Sequence, residues 1–171
     1  MKGLLSLIRK RRSMRTFDAV ALRNKDICRI LEAGRWAPSG LNNQPWRFLI
    51  VTDPGRKLAL AACTTYGSVI QKASTLILVF LDAADSYNRD KDMMAIGACI
   101  QNMLLEATSL KIASCWMGEI LNKKDQVANV LKLNTDLELC AVIALGKSRP
   151  AKNKGCRKSL KRLVLRPFPT S

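Results

Sequence analysis

The sequence predicts one domain in which helices and strands alternate, an α/β or α+β fold. The chain has 171 residues, of which 48% are hydrophobic, which is sufficient for a substantial core. Short apolar runs rich in β-branched residues alternate with longer segments of helical periodicity. No internal repeat or low-complexity segment is visible, so the elements are expected to belong to one unit.

Helical periodicity and end signals predict five helices, over residues 3–12, 24–36, 53–66, 91–110 and 122–133. Asn24, Asp53 and Asn122 are the expected N-cap residues, because their side chains accept hydrogen bonds from free backbone N–H groups. Pro54 suits the first helical position after such a cap. The helix over 91–110 is apolar nearly all round, which predicts that it crosses the protein centre or lines a subunit interface.

Strands are predicted over residues 46–51, 75–81, 112–117 and 139–145. The run over 75–81 is continuously apolar, which is typical of a strand covered on both faces. A last apolar piece, 163–165, resembles a strand without a partner in its own chain. Exchange of this arm between two subunits would pair it; a frayed tail is the alternative.

The net charge of +16 is concentrated at the two ends of the chain. Residues 1–25 carry +7 and residues 147–171 carry +9, whereas residues 26–146 are neutral. Basic ends could bind nucleic acid or an anionic surface, or they could contribute a few arginines that bind the phosphate of one ligand. No zinc module, helix-turn-helix pattern or aromatic–basic interleaving accompanies the charge, which disfavours general nucleic-acid binding.

The chain contains no histidine, and its six cysteines include no C-x-x-C pair. Histidine-based zinc sites and Ser-His-Asp triads are therefore excluded, and no metal site is expected. Most cysteines lie in apolar segments, which predicts a reduced, cytoplasmic protein. The longest apolar run is too short to cross a bilayer, and the N-terminus lacks the order of a secretory signal.

The segment after the first helix has the composition of an anion site. In an extended segment, Arg11, Ser13 and Arg15 point to one face and Arg12 to the other. Two guanidinium groups and a hydroxyl suit a phosphate monoester. A solvated basic surface is the alternative interpretation.

Two further segments carry candidate binding groups. Asn42 and Gln44, in the loop that begins at Pro38, both donate and accept hydrogen bonds, as the edge of a heterocycle requires. The segment 114–119 ends a predicted strand, where ligands collect in open sheets, and Gly118 permits close approach of the backbone to a flat ring. A local turn and simple core packing are the alternative interpretations.

Together, these motifs resemble the nitroreductase family of flavoproteins. The resemblance rests on R-R-S-x-R-x-F from Arg11, A-P-S-G-x-N-x-Q-P-W from Ala37, a long helix containing 96–107, S-C-W-M-G from Ser114, and a basic stretch at Arg157. It spans nearly the whole chain and implies an α+β, three-layer α/β/α sandwich with a mostly antiparallel central sheet. It also implies a homodimer with exchanged C-terminal arms, in which 1–146 form the FMN-binding domain and 147–171 form the arm.

The resemblance implies FMN as cofactor, NADH or NADPH as hydride donor, and a small-molecule acceptor such as a nitroaromatic or quinone. The implied cofactor-binding residues are Arg11, Arg12, Ser13, Arg15, Pro38, Ser39, Gly40, Asn42, Gln44, Trp116, Met117, Gly118 and Arg157. The arginines and Ser13 would hold the phosphate, Pro38, Ser39 and Gly40 would come from the other subunit, and the 116–118 turn would place an N–H near flavin N5. No catalytic side chain is implied, and 64–68 are expected to line the acceptor pocket.

Several alternatives stay open at this point. The same fold carries out reductive dehalogenation, enone reduction and breakdown of the flavin itself, and no residue of this chain separates these reactions. A protein of another class, a flavin- or nucleic-acid-binding module without turnover, would be favoured only by the net charge.

Overall fold

A computed structural model describes residues 3–133, 136–149 and 155–166 and contains a four-stranded antiparallel sheet. The helices are α1 (Leu4–Lys10), α2 (Asn24–Arg35), α3 (Pro54–Ala61), α4 (Gly67–Lys72), α5 (Arg89–Ser109) and α6 (Lys124–Leu131). The strands are β1 (Trp46–Val51), β2 (Thr75–Asp82), β3 (Ala113–Met117) and β4 (Leu137–Gly146). Short 3-10 turns cover Gly40–Asn42, Glu119–Lys123 and Leu160–Arg162.

The strands lie in the order β1-β2-β4-β3, and every neighbouring pair is antiparallel. The two central strands, β2 and β4, are the longest and most apolar, because helices cover both of their faces. Cys140 is the extra residue of a bulge, since Val79 pairs with Ala141 and Phe80 pairs with Leu139. The short strands β1 and β3 form the two edges.

Alternate side chains of β2 enter two separate cores, as the twofold repeat of a strand requires. Ile77 and Val79 pack with α2 and α5 on one face of the sheet. Leu76 and Leu78 pack with α3, α4 and α6 on the other. The predicted α+β sandwich with a mostly antiparallel sheet and helices on both faces is therefore confirmed.

Helices α2 and α5 approach each other closely where Gly34 faces Met103 and Cys99. A Cβ atom at Gly34 would lie 2.7 Å from Met103 Cγ and 3.0 Å from Cys99 Sγ. Cys28 of α2 is exposed. Met94 of α5 is 75% exposed, so only part of this apolar helix is covered within one chain.

Two of the predicted helix caps are wrong. The N-cap of α2 is Arg23, whose guanidinium binds Asp26 in the first turn, and Asn24 is the first helical residue. The N-cap of α6 is Lys123, because the 3-10 turn that precedes the helix already contains Asn122. The cap at Asp53 is confirmed, since its side chain accepts a hydrogen bond from Arg56 N–H at 2.8 Å.

The third helix is shorter than predicted, because it ends at Ala61 rather than Tyr66. The backbone turns at Thr64, whose hydroxyl accepts a hydrogen bond from Tyr66 N–H at 3.1 Å and so competes with helix continuation. A short helix, α4, follows and escapes the sequence prediction.

The C-terminal segment contains no strand among its described residues 155–166. The apolar piece predicted as a strand follows a 3-10 turn, and Leu165 is fully exposed. Within one chain no strand pairs with it, so its apolar side chains stay in solvent. Part of the predicted arm, 150–154 and 167–171, lies outside the described residues.

Candidate functional site

The basic segment after α1 runs beside the edge strand β3. Ser13 forms a parallel bridge with Ser114, and Met14 N–H donates to the Ser114 carbonyl at 2.8 Å. This pairing fixes an extended backbone around Ser13, but Arg12, predicted to point away from Arg11, has its charge close to that of Arg11. The positive charges of Arg15 and Arg11 both act on the thiol of Cys115 from this side.

Arg11 lies in a cluster of positive charges. Its burial, the guanidinium of Arg157 and that of Arg12 lower the pKa of Arg11, in that order of importance. The C-terminal segment lies against the same cluster, because a Cβ atom at Gly155 would be 2.8 Å from Arg12 Cζ. The structure therefore brings Arg157 to the N-terminal arginines, as predicted.

Arg11, Arg15 and Arg157 form no ion pair with a carboxylate of the described residues. Closely spaced like charges repel each other, so these three arginines raise the free energy of the protein when no anion is bound. An anion with two negative charges relieves this repulsion and accepts charge-assisted hydrogen bonds. The cluster has the donor chemistry of a phosphate site.

A cavity of about 210 Å³ lies beside this cluster at the end of β3. Its lining comprises Arg15, Tyr66, Cys115, Trp116, Met117, Gly118 and Glu119. Trp116 is 41% exposed, whereas Met117 is buried. A Cβ atom at Gly118 would meet none of the described residues within 4 Å, so a ligand can approach the backbone there. The cavity is smaller than the range of about 300–1,000 Å³ usual for ligand sites.

Glu119 is a site residue that the sequence interpretation missed. It accepts a short hydrogen bond from the Thr64 hydroxyl and a second one from Thr65 N–H at 3.1 Å. The Thr64 bond is the largest cause that lowers the pKa of Glu119. These contacts fix the turn that brings Tyr66 to the cavity, in agreement with the expectation for 64–68. The partners are 55 residues apart, and no sequence signal links them.

Cys115 is a buried thiol rather than a reactive one. Burial raises the pKa of Cys115, and the nearby charges of Arg15 and Arg11 only oppose this effect. A thiol with a raised pKa carries little thiolate at neutral pH.

The loop 38–44 carries the remaining predicted residues: Pro38, Ser39, Gly40, Asn42 and Gln44. Ser39 Oγ accepts a hydrogen bond from Gln44 N–H at 3.0 Å, and Gln44 Nε2 donates to the Asn42 carbonyl at 3.1 Å. Leu41, Asn42 and Gln44 have φ angles of 54°, 54° and 48°. Residues other than glycine rarely adopt this left-handed conformation, which is found at functional loops.

The loop and the arginine cluster lie far apart in one chain. The loop leads into Trp46, which pairs with Leu81 at one end of β2. Ser114, beside the basic segment, lies level with Thr75 at the other end of β2. The six residue-to-residue steps from Thr75 to Leu81 span about 20 Å at ~3.3 Å per step. The two groups also lie at opposite edges of the sheet, so one small molecule cannot touch both in a single chain.

The edge of the sheet at β3 thus carries a cluster of arginines, an open backbone turn and a cavity side by side. Residues 8–65 and 55–147 match the model of the nitroreductase family. The chain belongs to the nitroreductase family, a family of oxidoreductase enzymes. The resemblance in the sequence motifs is thereby confirmed.

Similar proteins agree with this assignment. A crystal structure from Desulfovibrio desulfuricans, of a protein provisionally assigned as a nitroreductase and in complex with FMN, is 44% identical. It superposes with a TM-score of 0.93, and the match covers 99% of each chain. An Archaeoglobus fulgidus protein, provisionally assigned as an NADH dehydrogenase/NAD(P)H nitroreductase, is 31% identical over 156 residues, 90% of each chain.

A third relative is named for a different activity. The iodotyrosine deiodinase of Thermotoga neapolitana is 31% identical over 122 residues, which are 57% of this chain and 66% of that protein. Separately, none of the helices in the described part of the chain is long and apolar enough to cross a membrane.

Proposed function

We propose that this protein is a homodimeric, cytoplasmic oxidoreductase that uses FMN to transfer hydride from NADH or NADPH to a small-molecule acceptor, such as a nitroaromatic or a quinone. One observation carries the proposal: Arg11, Arg15 and Arg157, which form no ion pair with a carboxylate of the described residues, lie beside an open backbone turn at the end of β3. This is the donor set that a flavin phosphate and a flat ring require together. The FMN-containing relative from Desulfovibrio desulfuricans supports it.

The phosphate is assigned to the residues of the basic cluster. Arg11 and Arg15 supply guanidinium groups, Ser13 supplies a hydroxyl, and Arg157 adds a charge from the C-terminal segment. Arg12 belongs to the same cluster and has Gly155 packed against its guanidinium. Fixed cations beside a ligand phosphate bind it through charge-assisted hydrogen bonds.

The flavin ring is assigned to the turn at Trp116, Met117 and Gly118. When bound, FMN supplies the hydride chemistry between NAD(P)H and the acceptor. The turn supplies backbone groups, and the absence of a side chain at Gly118 leaves its N–H accessible. Arg15 and Tyr66 line the same cavity and limit access of water and acceptor. No side chain is assigned to proton transfer.

The separation of the two groups of proposed binding residues supports the homodimer. The loop 38–44 lies at the far end and opposite edge of the sheet, so a second copy would bring it to the cofactor. Exposed apolar side chains are available for such an interface: Met94 is 75%, Leu160 is 77% and Leu165 is fully exposed. We therefore propose that residues 1–146 form the FMN-binding domain and that residues 147–171 wrap the partner subunit.

An absorbance spectrum tests the proposal directly. The purified protein is incubated with FMN, desalted, and titrated anaerobically with NADH or NADPH. Retained flavin bands that bleach on reduction are expected, followed by reoxidation with a nitroaromatic or quinone. A colourless protein after desalting, or a bound flavin that neither nucleotide reduces, contradicts the proposal.

A second candidate reaction is reductive dehalogenation, which the similarity to the Thermotoga neapolitana deiodinase favours. The same reduced protein is then offered a halogenated phenol, and halide release is measured. Halide release faster than nitroaromatic or quinone reduction favours the second candidate. Reduction of the nitroaromatic or quinone without halide release favours the first.

A further inference from the structure

Asp92 is a fully buried carboxylate that the site described above does not use. It lies in the first turn of α5 and forms no ion pair with a Lys or Arg of the described residues. Burial alone would raise the pKa of Asp92, but hydrogen bonds from Asn43, Ser86, Asn88 and Tyr87 outweigh this effect and lower it. Burial of a carboxylate is costly unless hydrogen bonds satisfy it. The four donors therefore stabilise the charge of Asp92, and Asp92 in turn fixes the positions of these donors.

The partners of Asp92 come from two loops. Asp92 Oδ1 accepts from Asn43 Nδ2 at 2.8 Å. Asp92 Oδ2 accepts from Ser86 Oγ at 2.7 Å, Tyr87 N–H at 3.1 Å and Asn88 N–H at 3.2 Å. The same amide of Asn43 also donates to the Asp85 carbonyl at 2.9 Å. One carboxylate thus ties the loop 38–44 to the connection between β2 and α5.

A second contact between these loops depends on the first. Gly40 lies against the ring of Tyr87, since a Cβ atom at Gly40 would be 1.9 Å from the hydroxyl of Tyr87 and 2.6 Å from Cζ. Asp92 fixes the Tyr87 backbone and therefore the base of this ring. Gly40 is one of the residues expected at the cofactor.

The loop needs such support because its own backbone is unfavourable. Leu41, Asn42 and Gln44 all have positive φ angles, and Leu41 is 85% exposed, so burial of its side chain does not stabilise the turn. Contacts at Asn43 and Gly40 join the loop to the connection between β2 and α5. Both of these contacts lead to Asp92.

We propose that Asp92 is a positioning residue that holds the loop 38–44 in the conformation that meets the FMN of the partner subunit. The inference rests on the proposed function. The proposed role differs from stabilising the core. The donors to Asp92 come from the loop 38–44 and from the connection between β2 and α5, not from two core elements. A site held in advance loses less conformational entropy when the ligand binds.

The substitution Asp92→Asn tests the inference, because it keeps the shape and removes the negative acceptor. FMN affinity of the dimer is measured by quenching of flavin fluorescence, together with the melting temperature and the visible circular dichroism of bound FMN. Hydrogen exchange of peptides from 38–44 is measured without FMN. The charge control is Asp90→Asn, an exposed acid in the same helical turn; the stability control is Ile100→Val, in the buried face of the same helix.

In Asp92→Asn, the FMN Kd is expected to rise about tenfold or more, the size that loss of hydrogen bonds to a charged group produces. The visible circular dichroism of bound FMN should change, and exchange over 38–44 should be faster. Neither control should show these changes, although Ile100→Val lowers the melting temperature. An unchanged Kd and unchanged exchange in Asp92→Asn would overturn the inference, as would an equal loss of affinity in Ile100→Val.

Two milder variants decide the question if Asp92→Asn does not fold. Ser86→Ala and Asn43→Ala each remove one donor to Asp92, and each should weaken FMN binding and loosen 38–44 in the same direction. Normal affinity and normal exchange in both would overturn the inference. If the wild-type protein binds no FMN, the proposed function fails, whereas the exchange data still decide whether Asp92 holds the loop.

Discussion

Arg11 shows how one side chain distinguishes a binding site from a basic surface. Its guanidinium is partly buried beside two other positive charges, and both burial and these neighbours lower its pKa. A solvated arginine on a basic face would be free of such repulsion. A bound anion would relieve this repulsion, which supports the proposed phosphate site. Without an anion, the cluster does not stabilise the fold.

Loss of Arg15 or Ser13 is expected to release FMN. Arg15→Ala and Ser13→Ala each remove a group assigned to the phosphate, and a hydrogen bond to a charged group is worth about 1.5–3 kcal/mol, so the FMN Kd should rise at least tenfold. Equilibrium dialysis of FMN provides the measurement. Arg56→Ala, an exposed arginine on α3 with the same charge change, is the control. Unchanged affinity in both site variants would remove the phosphate assignment.

Loss of the Glu119 carboxylate is expected to loosen one wall of the cavity. In Glu119→Ala, Thr64 Oγ1 and Thr65 N–H lose their common acceptor, so the turn that carries Tyr66 should become mobile. Faster hydrogen exchange over residues 62–67 and a lower melting temperature are expected. Asp125→Asn, an exposed acid in the first turn of α6, should leave both unchanged. Equal protection in wild type and Glu119→Ala would show that the hydrogen bonds do not hold this turn.

At the scale of the elements, strands were easier to predict than helix ends. The strand β2 follows directly from its unbroken apolar run, because burial on both faces excludes polar side chains. The end of α3 depends instead on a contact made elsewhere, because the turn that follows it is held by the distant Glu119. The start of α2 is at Arg23, whose guanidinium pairs with Asp26 in the first turn, and no typical capping residue marks it.

Glu138 joins three elements and predicts a pH dependence of stability. Arg89 at the start of α5 and Lys124 at the start of α6 both contact this β4 carboxylate, and they lower its pKa from 4.5 to about 2, with the Arg89 hydrogen bond as the largest cause. Because the folded pKa lies below the unfolded one, the stabilisation is present above pH 4.5 and is lost as the pH falls toward 2.

The difference in melting temperature between wild type and Glu138→Gln should therefore be largest near neutral pH and should shrink below pH 4.5. Solvent screens the pair, since Arg89 and Lys124 are more than half exposed, so the difference should be small and should decrease with added salt. Thermal melts at a series of pH values provide the measurement. A difference that grows on acidification would contradict the assignment.

At the scale of the whole molecule, the arginine cluster and the loop 38–44 lie at opposite ends and edges of the sheet. In the proposed homodimer, each group would complete a site together with the other group of a second copy. The exposed apolar residues of the C-terminal segment have the same explanation, because a partner subunit would cover them. Dimerisation and cofactor binding should therefore be coupled.

Deletion of residues 150–171 is expected to weaken the dimer and to release FMN. The deletion removes Arg157 from the basic cluster and removes the apolar side chains that are exposed in one chain. Light scattering gives the oligomeric state, and absorbance after desalting gives the flavin content. Full-length Arg157→Ala is the matched control, because it loses the charge but keeps the arm, and it should remain dimeric. A truncated protein that stays dimeric and yellow would show that the arm is dispensable.

The alternation of helices and strands, the buried central strand and the family could all be predicted from the sequence, because they depend on local periodicity and on contiguous motifs. Which of these motifs lie close together in space is visible in the tertiary structure alone. It brought Arg157 to Arg11 and Tyr66 to Trp116, and it kept the loop 38–44 apart from both. Glu119 and Asp92 could not be predicted from the sequence. Glu119 binds a residue far away in the chain, and Asp92 accepts hydrogen bonds from several backbone N–H groups. Neither kind of contact produces a recognisable spacing of residues.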